Sequence, residues 1–146
     1  MLGVPYYWRI LKHDAVNSEQ LHSLIKQADV IMPWAVNRYK AQSYSNEVAK
    51  EDVKWCEANQ VDYAPLVFPG CSWGNLKRDA ALYNESPRLG GAFLWKQIAG
   101  AKAAGAQMLY VAMFDEVDEG TAIFKCATED HLPLNGEGKF VGIEKN

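Results

Sequence analysis

Cysteine is scarce in this 146-residue chain: Cys56, Cys71 and Cys126 are an odd number at wide spacing, with no CxxC pair and no paired histidines nearby. That pattern excludes a disulfide framework and a structural zinc site of the usual spacing. No apolar run approaches the roughly 18 to 20 residues of a membrane span, and no basic leader precedes a hydrophobic stretch at the N-terminus as in a signal peptide. Periplasmic or secreted placement would follow only from a signal peptide on a longer gene product. Basic residues are dispersed, 15 Lys and Arg within a net charge of -3, so there is no electrostatic footprint for nucleic acid. HExxH, GxSxG and a phosphate loop are missing too, and no cofactor is expected. His13, His22 and His131 lie far apart; His22 falls in a helical pattern and is expected on the surface, while His13 and Asp14 lie just past the first strand. Gly70-Cys71-Ser72 has no paired histidine to make Cys71 a nucleophile.

Apolar residues make up 49% of the chain, enough for a sizeable core in a single segment spanning 1–146. Nearly continuous apolar runs at 3–10, 29–36, 63–70 and 107–114 read as strands buried on both faces of a parallel sheet. Helical patterns separate them. Asn17 and Ser18 are N-cap candidates before Leu21, Leu24, Ile25 and Ala28. Ser45 and Asn46 precede Ala49, Val53 and Cys56, and a third pattern over about 91–104 buries Phe93, Leu94, Ile98 and Ala101, with Gly105 as a left-handed cap. An alternating β-α series predicts a parallel sheet with right-handed crossovers. Both an open doubly wound sheet and part of a (β/α)8 barrel satisfy it, and both keep function at the C-terminal strand ends.

Those ends carry aromatic and planar polar groups: Tyr6, Tyr7, Trp8 and Arg9; Trp34, Asn37, Arg38 and Tyr39; then Phe68 through Trp73, Gly74 and Asn75. The last run ends in "MFDEVDEGTAIF", where Asp115, Glu116, Asp118 and Glu119 crowd into five positions. Sugar rings lie their apolar C–H faces on indole and phenol rings, and a glycosidic bond is broken by two positioned carboxyl groups. Two close carboxylates beyond a buried strand raise one another's pKa, so one holds its proton. Gly120 permits a sharp bend, and Thr121 is expected to hydrogen-bond a carboxylate. Three alternatives stand beside this: a solvated acidic turn, a loop in which Asp115, Glu116 and Asp118 hold calcium or magnesium, and a non-hydrolytic carbohydrate-binding or glycan-assembly domain. The spacing is not that of an EF-hand, and no metal is expected.

"DEVDEGTAIF" resembles the catalytic motif of glycoside hydrolase family 99, the endo-α-mannosidase family, and of related 71/99-like proteins, in which Glu-Trp-His-Glu-Gly-Thr ends a late barrel strand. Glu116 and Glu119 match its two glutamates, and Gly120-Thr121 its Gly-Thr. "SWGNL" and "SPRLGG" are similar to Trp-Asp-Asn and Pro-Arg elements of related domains, carried here by Trp73, Asn75 and Arg88. "GVPYYWRI", "MPWAVNRY" and "LVFPGCSW" are similar to a barrel hydrolase branch with xylosidase or arabinosidase names, so the resemblance spans most of the chain. It implies a (β/α)8 barrel that cleaves an α-linked glycan. By that resemblance Glu116 takes the proton of the substrate's 2-hydroxyl to give an epoxide-like sugar, and Glu119 protonates the leaving oxygen; Tyr39 is expected near the 2-hydroxyl from its rim position alone. Val117 and Asp118 stand where the family has Trp-His, exchanging an aromatic and an imidazole for a third carboxylate.

The expectation is therefore a partial (β/α)8 barrel of about four βα units, the C-terminal half of a glycoside hydrolase. Glu116 and Glu119 are catalytic, and Trp8, Arg9, Trp34, Arg38, Tyr39, Trp73, Asn75 and Asp118 bind a carbohydrate substrate. Because Leu2-Gly3-Val4-Pro5 already reads as a strand, a fragment is expected, with the missing N-terminal half or a dimer partner to complete it.

Overall fold

The computed structural model of the chain describes residues 1–131; the remainder of the 1–146 segment lies outside the described residues. Within them the elements run β1 (Leu2–Pro5), α1 (Gln20–Ile25), β2 (Val30–Trp34), α2 (Glu47–Asn59), β3 (Asp62–Tyr63), β4 (Leu66–Val67), α3 (Gly74–Lys77), α4 (Ala92–Ala103) and β5 (Tyr110–Val111). Every strand ladder is parallel: β1 pairs with β2 from Leu2↔Ile31 to Pro5↔Trp34, β2 with β3, and β4 with β5. β3 and β4 are two pieces of one strand path, broken at Ala64-Pro65. Proline has no N–H for a ladder, and at this break the path changes partner, from β2 on one side to β5 on the other.

The strands thus stand side by side in chain order. An open doubly wound sheet reverses its direction of growth at a switch point, and the described residues contain no such reversal. Sequential parallel order with helices between the strands is the wall of a barrel. The chain is part of a (β/α)8-type barrel.

The strands are shorter than the apolar runs, for reasons visible in the hydrogen bonds. The first run leaves the sheet at Pro5 because the Asp14 carboxylate accepts from Tyr6 N and Tyr7 N, both at 3.1 Å, and Trp8 N turns back onto the Pro5 carbonyl at 3.2 Å. The helix starts fall beside the expected serines, but the N-cap positions are Glu19 and Asn46, and neither caps through its side chain. Ser18 Oγ accepts from Gln20 N at 3.3 Å, and Ser45 Oγ accepts from Glu47 N at 3.2 Å. The face of α4 differs from expectation: Phe93, Gln97 and Ala101 are buried, while Leu94 and Ile98 are only half-buried.

Gln97 accounts for that rotation. Its Oε1 accepts from Phe68 N at 3.1 Å and from the Tyr39 hydroxyl at 3.0 Å, while its Nε2 donates to Phe68 O at 2.8 Å and Phe93 O at 3.1 Å. All four hydrogen-bonding positions of the carboxamide are filled, and the residue is fully buried.

The layer between strands and helices holds Val4, Ile31 and Tyr63 against Ile25, Val53, Cys56 and Ala101. Trp8 belongs to this layer. Its ring meets Trp55 edge-on at 4.7 Å and His22 at 6.1 Å, and it has no exposed surface. His22, expected on the surface, is half-buried with Nε2 3.1 Å from Trp8 O. Arg9 turns into the same layer, its Nε 2.7 Å from Asp52 Oδ1 on α2, and the Tyr63 hydroxyl donates to Asp52 Oδ2 at 3.1 Å. Burial lifts the Asp52 carboxyl from its ordinary 3.8 to about 6, against the opposing pull of Arg9, Tyr63 and the Trp8 indole. The indole N–H acts through space, since it makes no well-aligned hydrogen bond.

Replacing Gln97 by Leu keeps the volume but leaves the Phe68 N–H and C=O buried without partners. Each orphaned group costs about 1 to 3 kcal/mol, so Gln97→Leu is expected to lower unfolding stability by several times the cost of a surface change, measured by urea denaturation. Asp52 gives a pH signature. A carboxyl whose folded pKa is raised binds its proton more tightly in the folded state, so its contribution to stability falls as pH rises from 3.8 to about 6 and is flat above. Relative to Asp52→Asn, which does not titrate, the unmodified protein is expected to lose roughly 2 kcal/mol between pH 4 and pH 7. Paired denaturation curves at the two pH values check it; a constant difference would refute it.

Candidate active site

The acid loop begins where β5 leaves the wall. Its two sides are clasped by backbone bonds: Met113 N donates to Thr121 O at 3.0 Å, Ile123 N to Met113 O at 2.9 Å and Phe124 N to Phe114 O at 3.1 Å. Inside this clasp Glu116 O accepts from Thr121 N at 3.1 Å and Ala122 N at 2.8 Å. The loop is therefore a turn closed by its own backbone. Glu116 and Glu119 are half-buried, while Asp115 and Asp118 are exposed. Gly120 closes the bend at φ +66°, where a side chain would also press on Ser72.

A second segment, running from the end of β4 to the start of α4, braces the loop. Ser72 N donates to Glu119 O at 2.7 Å, and the Trp73 indole Nε1 donates to Glu119 Oε2 at 3.3 Å. Arg88 reaches across to Gly120 O at 2.9 Å and Ala122 O at 2.6 Å. Its own shape depends on Gly70, where a Cβ would come within 2.8 Å of both Ser86 O and the Arg88 side chain. The Cys71–Ser86 bridge then holds the two arms together, at 2.9 and 3.1 Å.

Trp73 and Glu119 are thus brought into direct contact, with Glu116 on the same loop. Trp73 is half-buried and carries Lys77 Nζ 5.8 Å from its ring centroid. Trp34 is 40% exposed at the end of β2. Arg38 forms an ion pair with Asp14 at 2.8 Å, beside the Tyr7 ring on which His13 packs at 4.4 Å. Asn75 accepts the Tyr83 hydroxyl at 3.2 Å and so serves its own loop.

Three residues expected on the rim lie elsewhere. Trp8 and Arg9 are in the layer under the sheet, drawn there by Trp55 and Asp52. Tyr39 follows them: its hydroxyl is committed to Gln97 on α4, its ring packs against Tyr44 and Phe68, and burial pushes its pKa well above the ordinary value. Thr121 does not reach a carboxylate; it is 1% exposed and its Oγ1 has no hydrogen-bond partner among the described residues.

Burial and the nearby charges of Glu85 and Glu119 push the Cys71 thiol up to about 12, so it stays protonated at neutral pH and is no thiolate nucleophile. Asp115, Glu116 and Asp118 do not gather as a metal-ligating group among the described residues. Nor does any helix there have the length and apolarity to cross a membrane. Sequence reasoning missed Ser72, whose backbone N–H leaves no mark on a sequence. It missed Glu85 and Asn37 as partners as well, because they are 48 positions apart.

Neither a family model nor a curated protein matches this sequence. Solved structures do. Two structures of the GH99 endo-alpha-mannosidase from Bacteroides thetaiotaomicron are similar to the chain, one with TM-score 0.52 and 21% identity over 64% of this chain and 27% of that chain. The other, in complex with bis-tris propane, has TM-score 0.59 and 18% identity over 80% of this chain and 34% of that chain. The chain has a GH99-like fold. It spans about a third or less of the length of those solved chains. In a barrel of this kind the rim at the C-terminal strand ends is the functional face, and the GH99-like wall carries its acid loop at the end of β5.

Gly70→Ala tests the bracing of that loop. The added methyl forces the Ser86 backbone outward, an overpacking that costs about 1 to 3 kcal/mol and separates Arg88 from the carbonyls it holds. A lowered melting temperature, with faster hydrogen exchange at Thr121 and Ala122, is the expected outcome.

Proposed function

We propose that this chain carries the catalytic carboxylates of a glycoside hydrolase acting on α-linked glycans, with Glu116 and Glu119 as the pair. The contact that carries the reading is the Trp73 indole N–H on Glu119 Oε2 at the mouth of a parallel barrel wall. An indole donor on one carboxylate oxygen orients the group and leaves the other oxygen for substrate, and a neighbouring ring offers an apolar face to a sugar. Glu119 is then the acid that protonates the leaving oxygen and the base that activates water afterwards. Glu116 takes the remaining role, assisting the 2-hydroxyl as the motif resemblance implies. Asp118, exposed between them where the resembling motif has histidine, faces the substrate as a hydrogen-bond acceptor, and Trp34 and Arg38 extend the binding rim. The GH99 neighbours are endo-alpha-mannosidases, which makes α-mannan the first substrate to try.

A working site needs the rest of a barrel. In the described residues β1 pairs only with β2 and β5 only with β4, so each has one open side. Leu109, Val111, Phe114, Ile123 and Phe124 are exposed along the β5 side. Open strand edges with an apolar surface call for further strands. We take the segment as the C-terminal half of the barrel, completed by an N-terminal half or by a second half-barrel.

Release of reducing sugar from α-mannan by the complete protein is the direct test. Glu116→Gln and Glu119→Gln are each expected to reduce it by about 100-fold or more, the scale of a lost general acid or base. If both variants retain full release, the catalytic assignment is wrong. Retention on immobilised α-mannan with no release by the unmodified protein would instead mark a binding domain.

A further inference from the structure

The acid loop is held by Ser72, Trp73 and Arg88, and these three belong to a segment that has little regular structure of its own. What fastens that segment to the barrel wall is a side-chain network at the end of β2. Asn37 Nδ2 donates to Glu85 Oε1 at 2.8 Å, and the Ser86 hydroxyl donates to Asn37 Oδ1 at 3.2 Å. Lys40 Nζ lies 3.6 Å from Glu85 Oε2, and the Glu85 side chain is only 10% exposed. Asn37 adopts φ +58°, a left-handed conformation that asparagine accepts more readily than most residues. Both ends of its carboxamide are used by the neighbouring segment, one as donor and one as acceptor. A carboxylate so little exposed, hydrogen-bonded through one oxygen and ion-paired through the other, is oriented by its partners rather than by water.

From Ser86 the connection continues without a gap. The Ser86 backbone bridges Cys71, and the next residue, Ser72, bonds Glu119 O. We infer that Asn37 and Glu85 are a positioning pair for the acid loop, fixing the bracing segment on β2 so that Trp73 and Glu119 stay in register with the rim. The inference rests on the glycosidase reading above and adds two residues that touch no reacting atom. Loss of the pair frees the whole segment, and a displacement of about 1 Å at a catalytic group is enough to cost on the order of a hundredfold in rate.

The test reverses the polarity of one hydrogen bond. Asn37→Asp removes the donor and sets a second carboxylate against Glu85. Adding Glu85→Gln returns a donor from the other side, while the Ser86 hydroxyl keeps its acceptor. In the complete protein acting on α-mannan, Asn37→Asp is expected to lower kcat by roughly tenfold to a hundredfold with KM within about twofold, the mark of a misplaced catalytic group. The double variant is expected to recover kcat to within about threefold of the unmodified protein. Thermal unfolding is followed for each variant, so that loss of folded protein is not counted as loss of rate.

Glu119→Gln in the same assay separates the two ideas. If it leaves hydrolysis intact, the assignment of Glu119 as a catalytic carboxylate falls and this inference with it. If it abolishes hydrolysis while Asn37→Asp keeps its kcat, or while the double variant is as slow as Asn37→Asp, the positioning pair alone is overturned. Should Asn37→Asp fail to fold, Glu85→Ala deletes the acceptor without adding charge; a lower kcat at unchanged KM supports the pair, and an unchanged kcat overturns it.

Discussion

The rim of this partial barrel rests on one buried carboxamide. Phe68 is the first residue past β4, and its backbone N–H and C=O have left the strand ladder without reaching water. Unpaired, both groups would carry the full cost of desolvation. Gln97 replaces the missing strand partner, offering its own amide as a one-residue continuation of the ladder. This sets the height at which the chain turns out into Pro69, Gly70 and Cys71, and so where Ser72 and Trp73 meet Glu119.

The same constraint recurs wherever a strand ends. β3, β4 and β5 are two residues each, so part of the backbone between wall and rim finds its partners in side chains. Asp14 takes the two N–H groups after β1, and Arg88 takes two carbonyls of the acid loop. Asn37, Glu85 and Ser86 join the end of β2 to the neighbouring turn. Polar residues that a composition count assigns to ligand or to solvent are in large part structural. Arg9 is the clearest case: a cation at a strand end, spent on Asp52 in the layer beneath.

The alternation of strands and helices was legible because each depends on local pattern: apolar runs, polar residues ahead of the helices and a glycine after α4. The parallel barrel wall followed from that alternation once chain order in the sheet excluded a switch point. Strand lengths were not legible, because apolar runs such as 3–10 and 107–114 continue past the last ladder bond. Nor was the direction of the aromatics. Trp8 and Tyr39 differ from Trp34 and Trp73 in no local feature; they differ in what lies below them, Trp55 for one and Gln97 for the other. The candidate site divides the same way. Glu116 and Glu119 stand out by spacing and by the strand that precedes them, whereas Ser72, Asn37 and Glu85 enter only through contacts between distant segments.

By itself the sequence determined the β-α series and the position of the acid loop at the end of the last described strand. These are properties of neighbours in the chain, and periodicity and capping encode them directly. Tertiary structure alone decided which aromatic rings face outward, which carboxylates are committed to cations inside, and how the acid loop is braced. Those outcomes depend on satisfying buried polar groups between residues tens of positions apart, a condition that only the assembled wall imposes.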